Sequence, residues 1–317
     1  MDLINRTHPE LRDVLLQLPK FYLPEDLEPA RRNKPPAPRK SDHVSIHEQM
    51  IKGKDGNEIM VRIYEPSGDH GAERPALLWI HGGGYVMGHP QDDDNLCQEI
   101  AETVGCIIFS PDYRLAPEHP YPAGLEDCYS TLLWIEQSAA SYKVDLARVA
   151  VAGASAGGGL TAALALLARD RGGPKICFQM PLYPMIDDRN VSPSSYEITH
   201  PAVWNRRNNI AAWNMYLGEG ERKEVSPYAA PIRAENLAGL PPMYTCVGQL
   251  DPFRDETIEY VMRMAEAGVD VEFHLYPGCY HAFELAVPDA EISKRARSEY
   301  IGALFRALQG RSAKLQG

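Results

Sequence analysis

The chain has 317 residues, long enough for one large core, and a formal net charge of −11 with a sequence pI near 5.4. Such an acidic chain repels phosphate backbones and anionic lipid headgroups, so we expect neither a nucleic-acid partner nor a membrane partner. The longest smooth apolar run, residues 160–168, is far shorter than the roughly 20 residues that a bilayer-spanning helix needs.

The N-terminus and the cysteines both predict a cytoplasmic protein. Charged residues are interleaved through residues 1–29, which lack the continuous apolar segment of a secretory signal. The six cysteines lie far apart, form no CxxC pair and have no histidine at metal-ligand spacing. Because disulfide frameworks are typical of small secreted chains, we predict free thiols in a reducing compartment.

The first regular elements form a predicted hairpin. Residues 44–51 and 58–66 flank a KGKDGN turn, and in the second segment Ile59, Val61 and Ile63 alternate with Met, Arg and Tyr. This alternation is typical of a half-exposed antiparallel ribbon. We therefore expect an antiparallel N-terminal hairpin at one edge of the sheet.

Strand-like and helix-like segments alternate after this hairpin. Six short, nearly all-apolar runs are typical of strands covered on both faces, and they occupy residues 76–80, 106–110, 148–153, 176–183, 243–248 and 271–277. Apolar residues at i, i+3 and i+4 predict helices over residues 95–104, 124–139, 159–170, 255–268 and 291–308. Repeated βα units predict the α/β class with a mostly parallel, doubly wound sheet.

Two regions interrupt the alternation. Residues 1–45 begin with a helix-like segment and continue into a basic, proline-rich stretch, and residues 186–220 follow a predicted strand with Trp204 and Trp213. A polar loop would not need two tryptophans. The rings either fill the core or belong to a helical cap over the strand ends and line a pocket, and the sequence leaves both interpretations open.

The sequence Gly153-Ala154-Ser155-Ala156-Gly157 matches the G-x-S-x-G motif. It lies between a predicted buried strand and a predicted helix, the context in which small flanking residues allow a sharp turn that lifts the serine hydroxyl above the sheet. We therefore predict that Ser155 is a nucleophile of the α/β-hydrolase type, and a merely glycine-rich turn is the structural alternative.

A serine nucleophile needs a histidine base, which is oriented by a carboxylate. In α/β-hydrolases the acid and then the histidine follow the serine along the chain. Three histidines follow Ser155: His274 lies inside a predicted strand, and His200 lies in the predicted cap. His281 follows the end of the last predicted strand, where open α/β sheets bind their ligands, and is the predicted base.

Two aspartates compete for the role of the acid. Asp251 comes directly after the strand at residues 243–248, and Asp255 opens the following helix. A carboxylate at a helix start is explained by the free N–H groups and the helix dipole. Because Asp251 has no such structural explanation, we assign it to orient His281.

Three consecutive glycines follow His81 at the end of a predicted buried strand. Glycine makes a loop harder to order by roughly 0.5–1 kcal/mol per position, and a tight turn needs only one. Acyl transfer passes through an oxyanion that backbone N–H groups stabilise. We therefore predict that this loop and the N–H of Ala156 form an oxyanion hole beside Ser155.

Taken together, the motifs resemble the hormone-sensitive-lipase-like family of α/β-hydrolases, the microbial family IV carboxylesterases. The resembling segments extend over most of the chain in the family's order, and they are HGGGYVMG (81–88), DYRLAPEHPYPAGLEDC (112–128), GASAGG (153–158), YPMIDDR (183–189), DPFRDE (251–256) and YPGCYHAF (276–283). The resemblance implies a single α/β-hydrolase domain over residues 1–317, with a cap from about 1–45 and 186–220.

The resemblance also implies a catalytic triad of Ser155, Asp251 and His281, and an oxyanion hole from the N–H groups of Gly83, Gly84 and Ala156. It implies no metal or organic cofactor, and homodimers are common among such proteins. The expected function is hydrolysis of short- to medium-chain carboxylic esters through an acyl-enzyme.

Three other functions fit parts of the sequence. An amidase, deacetylase or arylformamidase would use the same triad with different pockets. A non-catalytic small-molecule receptor is disfavoured because the predicted base His281 is intact, whereas the plant gibberellin receptors that resemble this family lack it. A lipase acting at an oil–water interface is disfavoured by the acidic charge and by the lack of a long apolar surface segment.

Overall fold

A computed structural model describes residues 2–33, 37–68, 72–218 and 224–309. Part of the basic, proline-rich stretch (34–36) and the end of the predicted cap (219–220) lie outside these residues. Eight strands form one sheet in the described chain: β1 (Val44–Lys52), β2 (Glu58–Pro66), β3 (Arg74–Ile80), β4 (Ile107–Pro111), β5 (Val144–Ala154), β6 (Phe178–Leu182), β7 (Met243–Leu250) and β8 (Val271–Tyr280).

The strand order is β1-β2-β4-β3-β5-β6-β7-β8. Strand β2 pairs antiparallel with β1 and with β4, whereas every pairing from β4 through β3 to β8 is parallel. The predicted mostly parallel sheet with an antiparallel N-terminal edge hairpin is thereby confirmed. Parallel strands bring their carboxyl ends to one edge of the sheet, so the loops that follow them meet there.

Eleven α-helices are found in the described residues: α1 (Leu3–Arg6), α2 (Pro9–Leu15), α3 (Leu27–Arg32), α4 (Asp94–Val104), α5 (Ala123–Tyr142), α6 (Ala156–Arg171), α7 (Pro193–Glu197), α8 (Arg206–Leu217), α9 (Arg254–Glu266), α10 (Phe283–Ala286) and α11 (Glu291–Leu308). Short 3₁₀ helices lie at Pro90–Asp93 and Pro231–Arg233. No helix among the described residues has the length and apolar character needed to span a bilayer.

Helices cover both faces of the sheet. Leucines and isoleucines of α4 and α11 join one apolar cluster, while residues of α5 and α6 join a second cluster with the other side chains of the strands. Helix α9 packs beside α6 in a third cluster. This arrangement explains why β3, β4 and β6 are almost continuously buried, as their apolar runs predict.

The last strand departs from the prediction of cover on both faces. In β8, Glu272, Leu275 and Pro277 are exposed, and only Tyr276, Cys279 and Tyr280 are buried. Because β8 is the last strand in the sheet order and pairs only with β7, one of its edges has no neighbouring strand among the described residues. Apolar composition alone did not distinguish this edge strand from the central ones.

The two segments predicted to form a cap contact each other. The amide of Asn208 in α8 accepts a hydrogen bond from the Leu23 N–H (2.9 Å) and donates one to the Phe21 carbonyl (3.0 Å). Arg31 in α3 donates to the carbonyl oxygens of Val86 and Ala116, at 2.7 Å each. The N-terminal segment is therefore fastened to α8 and to the loop that follows β3.

The aromatic side chains of residues 186–218 have different environments. Trp213 is fully buried and lies with Tyr216 against the ring of Tyr85, with ring centroids 5.4 Å and 4.0 Å away. Tyr196 is 57% exposed and lies under the guanidinium of Arg206. Trp213 therefore belongs to the core, whereas Tyr196 lies at the surface.

This difference predicts unequal effects on stability. Trp213→Ala should lower the free energy of unfolding by about 3–5 kcal/mol, because it leaves a cavity against Tyr85 and Tyr216. Tyr196→Ala should change it by less than about 1 kcal/mol, because most of that ring is in solvent. Urea unfolding followed by circular dichroism measures both. Similar losses in the two variants would contradict the assignment.

Candidate active site

Ser155 occupies a sharp turn between β5 and α6. Its backbone has φ 59° and ψ −119°, a conformation that non-glycine residues rarely adopt. A Cβ atom at Gly153 would lie 2.4 Å from the carbonyl oxygen of Ile80, and one at Gly157 would lie 2.0 Å from the same oxygen. Both motif positions must therefore be glycine, because the turn presses against the end of β3.

The structure brings Ser155, His281 and Asp251 together in one hydrogen-bonded chain. Nε2 of His281 lies 2.9 Å from Oγ of Ser155, and Nδ1 of His281 lies 2.7 Å from Oδ2 of Asp251. Asp251 follows β7 and is fully buried, and its Oδ1 accepts the N–H of Phe253 at 2.9 Å. His281 is 126 positions from Ser155 and 30 from Asp251 along the chain. The three residues meet because the strands that precede them end at the same edge of the sheet.

The imidazole of His281 is held by aromatic rings as well as by the carboxylate. Tyr183 and Phe253 meet it edge-on, each with a centroid distance of 5.1 Å, and Trp204 lies 6.4 Å away. Packing on several sides fixes the ring plane, so Nε2 stays directed at the serine oxygen.

The competing residues have other partners. Asp255 accepts the N–H of Ser194 at 2.7 Å and pairs with Arg254 at 2.6 Å. Burial opposes its ionisation, but these two contacts outweigh it and leave the pKa of Asp255 below its ordinary value. It lies in the first turn of α9, as its structural explanation predicts, although Phe253 and not Asp255 is the N-cap residue.

Neither of the other two histidines contacts Ser155. His200 accepts the N–H of Ala202 within the predicted cap segment. His274 lies on β8 between Glu272 and Glu299, at 3.1 Å and 3.2 Å. Its side chain is thus committed to the sheet face, as the strand position predicts.

The glycine loop lies directly beside the serine turn. A Cβ atom at Gly82 would lie 3.1 Å from the Ala154 carbonyl oxygen. Gly83 and Gly84 have φ values of 115° and 63°, and a Cβ atom at Gly83 would lie 2.0 Å from the Met87 carbonyl oxygen. In the described part of the chain, nothing accepts a hydrogen bond from the N–H groups of Gly83, Gly84 or Ala156.

His81 braces the start of this loop. Its ring is fully buried, stacks on Tyr113 with a centroid distance of 4.2 Å, and has Nδ1 2.8 Å from the Gly82 carbonyl oxygen. Burial lowers its pKa to about 4, so the ring is neutral near pH 7 and can donate from Nδ1 to that carbonyl. His81 therefore fixes the loop backbone and does not reach Ser155.

A cavity of about 430 Å³ opens onto Ser155 and His281. Trp204 lines it, with the indole N–H on the side chain of Asn209 (3.2 Å) and the ring against Gly84. The other lining side chains are mostly small or apolar, and they include Ala30 and Asn33 of the N-terminal segment, Met87, Leu285, Asp92 and Asp93. One of the two tryptophans thus lines a pocket while Trp213 fills the core.

Sequence reasoning missed two buried acids near this cavity. Asp93 is 8% exposed and accepts the indole N–H of Trp79 at 2.8 Å. Burial above all, and then the neighbouring carboxyls, raise its pKa to about 7 although the indole opposes the shift. Glu284 accepts the hydroxyl of Tyr183 at 2.5 Å, and burial raises its pKa. Asp93 lies in a run of three aspartates at a helix start, a pattern that is typical of exposed residues and does not indicate burial.

The fold and the geometry of the site define the class of protein before any comparison. A serine on a strained strand-to-helix turn, with a histidine and an aspartate on later strand ends, is the arrangement of the α/β hydrolases. The family model for the α/β-hydrolase fold matches residues 77–285.

Individual relatives narrow the family further. The esterase LipI of Mycobacterium tuberculosis is 38% identical over 279 residues, which cover 87% of each chain. The carboxylesterase NlhH of the same species is 37% identical over 268 residues, 82% of each chain. A bacterial heroin esterase of known structure is 39% identical, with a TM-score of 0.91 over 97% of this chain and 99% of that one.

The chain therefore belongs to the α/β-hydrolase family, in its hormone-sensitive-lipase-like group of carboxylesterases. The predicted resemblance and fold class are confirmed. The names of these relatives give no support to the amidase, deacetylase, arylformamidase or receptor alternatives.

The buried carboxyl of Asp93 predicts a pH-dependent effect on stability. Its pKa rises from the ordinary 3.8 to about 7 on folding, so stability falls as the pH rises from 4 to 7. Asp93→Asn keeps an acceptor for Trp79 without the charge. The variant should gain stability over the wild type at pH 8, by at most about 4 kcal/mol, and the gain should shrink toward pH 4. Urea unfolding at pH 4.5, 6 and 8 tests this, and a pH-independent difference would contradict it.

Proposed function

We propose that this chain, a carboxylic ester hydrolase by its family, cleaves esters with Ser155 as nucleophile, His281 as general base and Asp251 as its orienting carboxylate. The observation that carries the proposal is the unbroken hydrogen-bond chain from Ser155 through His281 to Asp251, with distances of 2.9 Å and 2.7 Å. Both distances are within the range needed for proton transfer and for orientation of the imidazole.

The reaction proceeds through an acyl-enzyme. Oγ of Ser155 attacks the ester carbonyl carbon while Nε2 of His281 takes its proton, and Asp251 stabilises the imidazolium that forms. The imidazolium then protonates the leaving alcohol as the C–O bond breaks. Water, deprotonated by His281, attacks the acyl-serine, and the carboxylic acid leaves as Ser155 regains its proton.

The N–H groups of Gly83, Gly84 and Ala156 are proposed to bind the oxyanion of both tetrahedral intermediates. Three properties support this. The glycine loop lies against the serine turn, and Gly83 and Gly84 have positive φ angles that favour glycine. No described group accepts a hydrogen bond from these three N–H groups. A fixed donor of this kind is worth roughly 2.7–4 kcal/mol in the transition state.

Short- to medium-chain esters are the proposed substrates. The cavity of about 430 Å³ is bounded by Trp204 and Leu285 and by the N-terminal residues Ala30 and Asn33. We also propose that residues 1–45 and 186–220 form the cap of a single domain, since their described parts contact each other and both contribute to this wall.

The compartment and the partners are proposed on simpler grounds. All six cysteines are unpaired, which favours a reducing compartment and hence the cytoplasm. The net charge of −11 disfavours nucleic acid and anionic membranes as partners. A homodimer is proposed from the family resemblance alone.

The first test uses p-nitrophenyl esters of increasing acyl length. The wild type should hydrolyse short esters fastest, and rates should fall once the chain exceeds the cavity. Ser155→Ala should lose about 10⁵–10⁶-fold in kcat, because no other group can form the acyl intermediate. Ser138→Ala on α5, whose hydroxyl donates to the Trp134 carbonyl and has no other partner in the described chain, is the matched control and should match the wild type. Equal activity of Ser155→Ala and the wild type would refute the mechanism.

A second test separates the two aspartates. Asp251→Asn should lower kcat by roughly 10⁴-fold, since the amide no longer holds His281 in the tautomer that accepts the serine proton. Asp255→Asn should stay within about tenfold of the wild type, because its carboxylate contacts neither Ser155 nor His281. Initial rates on p-nitrophenyl acetate, with circular dichroism to verify folding, measure both. The reverse order of losses would assign the acid to Asp255.

A further inference from the structure

The charged side chains on the wall of the catalytic cavity are strongly biased in sign. Asp92 and Asp93 line it together with the catalytic His281, and the described lining contains no lysine or arginine. An ester bound to Ser155 therefore has carboxyl groups nearby and, among the described lining residues, no lysine or arginine. A neutral ester would gain no electrostatic attraction from these carboxyl groups.

The carboxyl of Asp93 has an unfilled acceptor at this wall. Oδ2 accepts the Trp79 indole N–H at 2.8 Å, whereas Oδ1 has no donor among the described residues, although more than nine-tenths of the residue is buried. Asp93 is the N-cap residue of α4, but its side chain makes no capping hydrogen bond. The side chain bonds to Trp79 and not to the N–H groups of the helix, and it lines the cavity.

Folding alone does not explain a carboxylate at this position. An indole N–H needs only a neutral acceptor, which Asn, Gln or Ser could provide. A carboxylate that is buried without a cationic partner costs stability, as the raised pKa of Asp93 indicates. Groups that lower stability in this way are concentrated at functional sites.

A second cavity, of about 800 Å³, adjoins the first and shares Asp92, Asp93 and Leu285 with it. Glu284 lines it as well; this side chain is only 2% exposed, and its Oε2 has no hydrogen-bond partner among the residues that the structure describes. Six carboxyl side chains and two arginines line this second cavity, and one of the arginines, Arg297, is paired with Glu99. The acidic wall of the active site thus continues into a larger acidic chamber.

We propose that the enzyme prefers esters that carry a cationic ammonium group, and that Asp93 is the specificity-determining residue that binds this group, with Asp92 beside it. The proposal rests on the proposed function, since it requires that Ser155 hydrolyse the same ester. Oδ1 of Asp93 supplies the free acceptor or the charge contact, and the adjoining chamber supplies room for the substituents on the nitrogen.

The test compares esters that differ only in charge. Acetylcholine and its uncharged carbon isostere, 3,3-dimethylbutyl acetate, place the difference in the alcohol. The ethyl esters of 4-(trimethylammonio)butyrate and 5,5-dimethylhexanoate place it in the acyl group. Each kcat/KM is divided by the rate constant of hydroxide hydrolysis, which removes intrinsic reactivity. The wild type should favour the cation by at least about tenfold in one of the two pairs.

Two substitutions identify the residue responsible. Asp93→Asn keeps the shape and the acceptor for Trp79, so the ratio of the cationic to the neutral ester should fall by about tenfold while the neutral ester changes little. Asp270→Asn removes one charge from an exposed position before β8, at the opposite edge of the sheet, and should leave the ratio unchanged. Asp92→Asn should lower the ratio less than Asp93→Asn, because Asp92 is exposed.

The pH dependence distinguishes charge from shape. The carboxyl of Asp93 has a pKa of about 7, and the titratable groups nearest to it are Asp92, Asp94, Glu284, Cys97 and Tyr113. It also shares its two cavities with His281, Arg39 and Arg297. The ratio for the favoured pair should therefore rise between pH 6 and 8, and this rise should be absent in Asp93→Asn.

Each outcome is decisive. A normalised wild-type ratio near or below one in both pairs would overturn the proposal, and this measurement needs no variant. A high ratio that Asp93→Asn leaves unchanged would overturn the role of Asp93. If Asp93→Asn does not fold, the wild-type ratio, its pH dependence and Asp92→Asn remain as tests. If p-nitrophenyl acetate is not hydrolysed either, the proposed function itself has failed.

Discussion

The strained backbone of Ser155 is the constraint on which the rest of the site depends. Holding a residue in such a conformation costs on the order of 1–3 kcal/mol, so the surroundings must secure it. The Ser155 N–H donates to the Leu182 carbonyl at 3.0 Å, and the Ser155 carbonyl accepts the N–H groups of Gly159 and Met185 at 2.9 Å and 3.0 Å. Leu182 and Met185 lie at and just beyond the end of β6. The turn is therefore fastened to the neighbouring strand as well as to its own helix.

The same fastening reaches the glycine loop. Tyr85 directly follows Gly84 with φ 66°, and its hydroxyl donates to the Met185 carbonyl at 2.6 Å. The Met185 carbonyl thus accepts a hydrogen bond from Tyr85, and the Met185 N–H donates one to the Ser155 carbonyl. A Cβ atom at Gly159 would lie 2.0 Å from the Tyr85 hydroxyl, so this position in the first turn of α6 has to be a glycine. Ser155, the proposed nucleophile, and the glycine loop are therefore positioned by one network, as the proposed stabilisation of the transition state by fixed dipoles requires.

This network also explains what the sequence could and could not predict. Strands and helices follow from local periodicity, and placing His281 and Asp251 needs only strand ends and chain order. The start of α6 was predicted at residue 159 but lies at Ala156, because tight packing against β3, β6 and Tyr85 holds glycines 157–159 in the helix. The positions of Trp213 and Tyr196, and the burial of Asp93, depend on contacts between distant segments that no local pattern records.

Two buried carboxyls near the cavity show how one physical rule leads to different roles. Asp251 has a donor on each oxygen, the Phe253 N–H and the His281 ring, and in the proposed mechanism that ring becomes a cation during acyl transfer. In that mechanism the Asp251 carboxylate has a positive partner at the step in which the imidazolium forms. Asp93 has one uncharged donor, from Trp79, and acidic neighbours. A buried carboxylate must find a cation or keep its proton. Because no described residue forms an ion pair with Asp93, the proposed partner of its ionised form is a cation that enters with the substrate.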